Sequence, residues 1–100
     1  MTTYFVTRHS GARDWAQDKG IRVDQVVDHL DVTQVRAGDV VIGSLPVNLA
    51  AEVCERGGHY LHLSLDLPSK LRGKELTAED MRALGARVEE YVVVRKGTTR

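Results

Sequence analysis

The sequence is poor in the features that usually reveal a function. It contains one cysteine in 100 residues, so no internal disulfide is possible and a reducing compartment is expected. No apolar run approaches the length of a membrane span, and the first residues do not follow the basic-then-apolar order of a signal peptide. We therefore expect a cytoplasmic protein that makes no contact with a membrane.

Neither sign of charge is in excess. The lysine and arginine residues number 14 and the aspartate and glutamate residues number 14, which gives a formal net charge of +0. A general nucleic-acid binder needs a broad basic surface, so DNA is not an expected partner. A small anion is still compatible with this balance, because two or three well-placed arginines are enough to hold one.

The short motifs of metal and hydrolase chemistry are missing as well. The sequence contains no HExxH, HxH or CxxC pattern and no GxSxG elbow. His62 and Asp66 would share one face of a strand, but roughly 13 Å would separate them at the usual strand rise. Cys54 falls on the apolar side of its helix, which favours a structural role. We expect neither a metal ion nor any other cofactor.

What the sequence does contain is a regular alternation of strand-like and helix-like segments. We expect strands at residues 3–7, 23–30, 39–43, 59–66 and 91–94, and helices at 10–19, 46–56 and 77–88. This β-α-β-β-α-β-α-β order predicts an α/β fold, a three-layer Rossmann-like domain with a mainly parallel sheet of about five strands. We expect one domain over residues 1–95, a flexible tail over 96–100 and, because the core is thin for a monomer, a homodimer.

The first strand ends in an unusual group of side chains, and parallel sheets bind ligands beyond the carboxyl ends of their strands. Arg8 can grip a phosphate with two N–H groups, and His9 can act as an acid or a base. Ser10 and Gly11 open a helix, whose unpaired amides and dipole attract an anion, and Gly11 would allow close approach. The same residues also fit a plain helix cap flanked by solvated charges.

Two further corners lie at the same predicted edge. Ser44 and Asn48 flank the start of the second helix and can hydrogen-bond a phosphate, a ribose hydroxyl or a base. They can equally serve only the first amides of that helix. Arg72 follows the fourth strand on a loop that could close over an anion, although charged loops of this kind are more often simply solvated.

Several segments resemble a known family. The blocks "TRHSGA" and "GSLPVNLAAEVC", together with "VDHLD" and "RGKELTAEDM", are similar to a small family of accessory proteins encoded beside type III CRISPR systems. The resemblance runs from about Thr3 to Tyr91. Several small Rossmann-like (CARF-like) proteins of those antiviral defence systems are ring nucleases, which degrade cyclic oligoadenylate second messengers.

The resemblance implies that this protein binds and cleaves cyclic tetra-adenylate to switch the signal off. Cleavage would need no metal if a ribose 2′-hydroxyl attacked the neighbouring phosphorus. We expect Arg8 on the scissile phosphate and His9 or Ser10 near that hydroxyl, with Gly11, Ser44, Asn48 and Arg72 as ligand-binding residues. Two alternatives stay open: a non-catalytic binder that sequesters the cyclic nucleotide or regulates an effector, and a structural component of the CRISPR complex.

Overall fold

The structure is a computed structural model that describes residues 1–99. Five strands and three α-helices follow one another in the predicted order. They are β1 (Thr3–Val6), α1 (Gly11–Asp18), β2 (Gln25–Val27), β3 (Val40–Gly43), α2 (Val47–Glu55), β4 (His59–Ser64), α3 (Ala78–Ala83) and β5 (Arg87–Tyr91). Short 3-10 turns at Val32–Gln34 and Ser69–Leu71 complete the connections before β3 and before α3.

The strands form one sheet in the order β2-β1-β3-β4-β5. All neighbouring pairs are parallel except β4 and β5, which run antiparallel. The α/β fold with a mainly parallel five-stranded sheet is therefore confirmed. From β1 the chain turns first to β2 on one side and then to β3 on the other, so a topological switch point lies between the carboxyl ends of β1 and β3.

The two faces of the sheet are covered by different helices. On one face of the sheet α1 and α3 pack against each other. Trp15 of α1 is fully buried there, in one cluster with Phe5 of β1 and Ile42 of β3. The i, i+3, i+4 spacing of Ala12, Trp15 and Ala16 explains why α1 turns that side inward. On the other face α2 and the 3-10 turn before β3 cover a second cluster.

The end of the chain differs from the prediction. The helix that starts at the confirmed capping box of Thr77 and Asp80 ends at Ala83, because Gly85 adopts a left-handed conformation with φ of 72°. Val88 is consequently a strand residue paired with Leu63, not the last core position of a helix. The predicted strand at 91–94 was wrong: β5 ends at Tyr91, and residues 92–99 lie outside the sheet.

Smaller differences concern lengths. β2 pairs with β1 over three residues only, so it is shorter than the predicted strand at 23–30. The predicted tail at 96–100 includes Arg100, which lies outside the described residues. No α-helix within residues 1–99 is long and apolar enough to cross a membrane.

Candidate functional site

Arg8 and a histidine that the sequence analysis did not select meet at the carboxyl ends of β1 and β2. Val6 is paired with Val27 in the sheet, so Arg8 and His29 each lie two residues beyond a matched pair. Nη2 of Arg8 lies 3.2 Å from Nε2 of His29, and both side chains are exposed. Since a guanidinium can only donate, His29 accepts this hydrogen bond on Nε2.

His9 is held by a segment that is distant in sequence. The backbone N–H of Leu76 donates to Nδ1 of His9 at 3.3 Å, and His9 is half-buried. In the neutral ring the proton therefore resides on Nε2. The backbone N–H of His9 donates to Oγ1 of Thr7, which fixes the turn between β1 and α1.

The first amides of α1, which the sequence interpretation took to be unpaired, have hydrogen-bond partners in the structure. The amide of Ser10 donates to Oε1 of Glu75 at 3.4 Å, and the amide of Gly11 donates to the carbonyl oxygen of Leu76 at 3.2 Å. Ser10 occupies the N-cap position without a side-chain capping hydrogen bond. A Cβ on Gly11 would overlap the backbone of Thr77, so Gly11 makes room for α3. Direct contact of Ser10 or Gly11 with a ligand stays a prediction.

The corner after β3 contributes Ser44 and Asn48. The hydroxyl of Ser44 donates to the carbonyl oxygen of Leu63 at 2.7 Å. Because this bond uses the hydroxyl proton, the lone pairs of Ser44 Oγ can still accept a hydrogen bond from a ligand. Asn48 is exposed in the first turn of α2, and Pro46 at the N-cap position provides no side-chain bond to the first amides. At the switch point, the hydroxyl of Ser44 is thus already hydrogen-bonded, and the side-chain amide of Asn48 is exposed.

Two shallow clefts connect these corners. One, of about 300 Å³, is lined by Arg8 and His9 together with Asp28 and Ser44. The other, of about 390 Å³, is lined by Arg8 and His9 together with residues 73–75 of the loop before α3. The structure therefore brings Arg8, His9 and Ser44 together. Asn48 and Arg72 do not line either cleft.

The charge environment of Arg8 differs from that of five other arginines of this protein. Within residues 1–99 no carboxylate is in ion-pair range of Arg8. Other arginines do pair with carboxylates, namely Arg22, Arg56, Arg82, Arg87 and Arg95. Arg8 instead contacts the imidazole of His29, so an incoming anion would not have to displace a carboxylate from Arg8.

A third cleft, of about 370 Å³, lies on the α2 face and is mainly apolar. At its base the hydroxyl of Tyr60 accepts from the amide of Leu45 at 2.9 Å and lies 2.7 Å from Nδ1 of His62. Burial raises the pKa of Tyr60, and the hydrogen bond from Leu45 opposes that effect. Nδ1 of His62 thus has a hydrogen-bond partner, and Tyr91 lines the cleft with its ring edge-on to that of His62.

Comparison with known families gives one result. A family described as "Putative CRISPR-associated protein (Cas_VVA1548)" matches residues 4–94. Comparisons with curated proteins and with solved structures returned no match. The match runs from the second residue of β1 to beyond the end of β5 and includes every site residue named above. The chain therefore belongs to this family of CRISPR-associated proteins.

Proposed function

We propose that this protein is a metal-independent ring nuclease, which binds and cleaves cyclic tetra-adenylate and so switches off a type III CRISPR signal in the cytoplasm. The observation that carries the proposal is Arg8. It is an exposed cation with no carboxylate partner among residues 1–99, and it lies with His9 and Ser44 at the switch point of the sheet. Membership in a CRISPR-associated family supplies the biological setting.

The proposed reaction is an internal displacement. A ribose 2′-oxygen attacks the adjacent phosphorus, the bond from phosphorus to the 5′-oxygen breaks, and the 5′-oxygen takes up a proton. The products carry a 2′,3′-cyclic phosphate at one end and a 5′-hydroxyl at the other. Negative charge accumulates on the non-bridging oxygens in the transition state, where the two N–H groups of one Arg8 guanidinium edge would bind them.

The remaining residues would orient the ring. Ser44 keeps acceptor capacity for a ribose hydroxyl or an adenine amino group, and Asn48 can donate and accept at the edge of a base. Arg72 is a secondary candidate for a phosphate, because Gly73 beside it has a left-handed φ and lines a cleft with Arg8 and His9. Holding the 2′-oxygen in line with the phosphorus would supply much of the rate.

A homodimer is part of the proposal, because a ring of four identical nucleotides can share a twofold axis. The supporting feature is a set of four exposed apolar side chains, those of Val47, Tyr91, Val92 and Val94, which we call the apolar strip. Val92 and Val94 are each 78% exposed, which is costly for a surface that stays in water. We propose that a second copy covers the strip.

The strip spans both ends of α2. Val47 lies in the first turn of α2, next to Asn48 at the carboxyl edge, whereas Val92 and Val94 follow β5 near the last turn of α2, at the amino edge. A copy that docks along the strip with its axis parallel to the strands would keep the two carboxyl edges on the same side of the dimer. Pairing through the free edge of β5 about an axis perpendicular to the sheet would turn the two carboxyl edges in opposite directions. We therefore favour contact through the strip over contact through the β5 edge.

The test is incubation of the protein with cyclic tetra-adenylate in EDTA, followed by chromatography of protein and nucleotides. We expect linear products with 2′,3′-cyclic phosphate ends. Intact ring that co-elutes with the protein would contradict cleavage and favour a binder that sequesters the messenger. Neither binding nor turnover would favour a structural role in a CRISPR complex.

A further inference from the structure

His29 is placed at the site by the register of the sheet. The amide of Thr7 donates to the carbonyl oxygen of Val27 at 2.9 Å, which extends the pairing of β1 and β2 past their last strand residues. This contact aligns the two loops, so His29 and Arg8 leave the sheet side by side. Asp28, the neighbour of His29, lines the cleft with Arg8 and His9.

The hydrogen bonds distinguish the two histidines of the carboxyl edge. Nδ1 of His9 accepts from the amide of Leu76, so the other ring nitrogen carries a proton and has no lone pair to offer. Nε2 of His29 accepts from Arg8, so that nitrogen has its lone pair directed at the guanidinium. Nε2 of His9 is therefore a hydrogen-bond donor, whereas Nε2 of His29 is a hydrogen-bond acceptor whose lone pair could take up a proton.

The other histidines are committed elsewhere. His59 lies at the amino end of β4, where Nδ1 is 2.9 Å from Oε2 of Glu90. His62 contacts the hydroxyl of Tyr60 on the α2 face. Only His29 combines an accepting nitrogen with direct contact to Arg8 among the four histidines, all of which the structure describes.

We propose that His29 is the general base of the ring nuclease, an inference that rests on the proposed function. When a phosphate binds Arg8, the guanidinium exchanges its contact with His29 for the phosphate oxygens and leaves Nε2 of His29 free. That nitrogen takes the proton of the 2′-hydroxyl as the oxygen bonds to phosphorus. The electron pair of the breaking bond passes to the 5′-oxygen, which takes a proton from water, and His29 later returns its proton to solvent. Nε2–H of His9 donates to a non-bridging oxygen and transfers no proton.

The experiment compares single-turnover cleavage of cyclic tetra-adenylate by the wild type, His29→Ala, His29→Gln and His59→Ala. General-base catalysis contributes on the order of 100- to 10,000-fold, so we expect His29→Ala to lose at least roughly 100-fold in the cleavage rate constant. Added imidazole should restore part of the rate of His29→Ala. His29→Gln keeps an acceptor for Arg8 but cannot take a proton, so it should be as slow as His29→Ala. His59→Ala, a histidine change at the opposite edge of the sheet, should cleave at the wild-type rate.

The outcomes separate this inference from the function on which it rests. A wild type that does not cleave overturns both. A wild type that cleaves while His29→Ala keeps its rate overturns only the role of His29. Activity in His29→Gln, or a loss in His29→Ala that imidazole does not restore, would make His29 a positioning residue for Arg8 and would also overturn the base assignment.

Discussion

The parallel strands β1 to β4 begin at one side of the sheet, the amino edge, and end at the other, the carboxyl edge. Polar side chains have different roles at these two edges. At the amino edge the buried carboxylate of Asp39 accepts from the amides of Thr2 and Arg36, each at 2.9 Å, and these bonds hold its pKa below the usual value. At the carboxyl edge Arg8 is exposed and has the imidazole of His29 as its partner. Polar groups at the amino edge stabilise the fold, whereas the key cation of the carboxyl edge is left available for a ligand.

The largest expected effect comes from removing that cation. Arg8→Ala should lower the rate constant for cleavage of cyclic tetra-adenylate on the order of 100- to 1,000-fold, as loss of one preformed charge-stabilising donor does elsewhere. Its thermal unfolding should match the wild type, because Arg8 is exposed. Arg22→Ala is the matched control, since Arg22 precedes β2 at the amino edge. If Arg22→Ala lowered the cleavage rate constant as much as Arg8→Ala, the carboxyl edge would have no special role in catalysis.

The apolar strip gives the next effect. Replacing both Val92 and Val94 with Asp should weaken the dimer at least roughly 100-fold, because each buried valine contributes about 1.5–3 kcal/mol. Light scattering after size-exclusion chromatography, over a dilution series, measures this change. Gln17→Asp, an exposed change on α1, should leave the mass unchanged. A wild type that stays monomeric would contradict the dimer.

The amino edge should respond in stability and not in activity. Asp39→Asn places an amide N–H₂ group against a backbone donor, and the unsatisfied contact should cost about 1–3 kcal/mol in the free energy of unfolding. Urea denaturation at neutral pH measures the loss, while cleavage by the folded variant should be unchanged. A carboxyl whose pKa is lowered by folding stabilises above its unfolded pKa, and the stabilisation disappears as pH falls through the folded value. The difference between the wild type and Asp39→Asn should therefore shrink below about pH 4.

The smallest effect concerns the cap of α3, which lies against the first turn of α1. Thr77→Ala removes the side chain that accepts from the amide of Asp80 at 3.1 Å. We expect a loss of about 1 kcal/mol in unfolding free energy, the usual contribution of an N-cap. Thr98→Ala is the control outside any helix or strand. If folded Thr77→Ala lost cleavage completely, this prediction would be wrong, and the start of α3 would have a role in catalysis beyond its contribution to stability.

The fold could be predicted from local patterns because those patterns determine it. The β-branched run at 40–42, the helical spacing in α1 and the capping box of α3 each act within a few residues. The start of β5 could not be placed in the same way. The charged residues at 87 and 89–90 are compatible with an exposed helix and with an edge strand. The left-handed conformation of Gly85 ends α3, so the residues after it can form β5.

The site was predictable only in part. The rule for parallel sheets correctly brought Arg8, His9 and Ser44 to one place. The pairing of the α1 amides depends on residues 75–76, which lie more than 60 positions away in sequence, and no local pattern encodes that contact. His29 was missed because its segment was assigned to a strand. Counting two residues past the end of each neighbouring strand would have found it.

Phosphorus NMR of the wild type with cyclic tetra-adenylate in EDTA tests the central claim most directly. The account predicts that the phosphodiester signal of the ring declines while the resonance of a five-membered 2′,3′-cyclic phosphate grows, and that Arg8→Ala suppresses this change. A spectrum of the wild type that shows only the intact ring after prolonged incubation would contradict the claim that the carboxyl edge is a catalytic site.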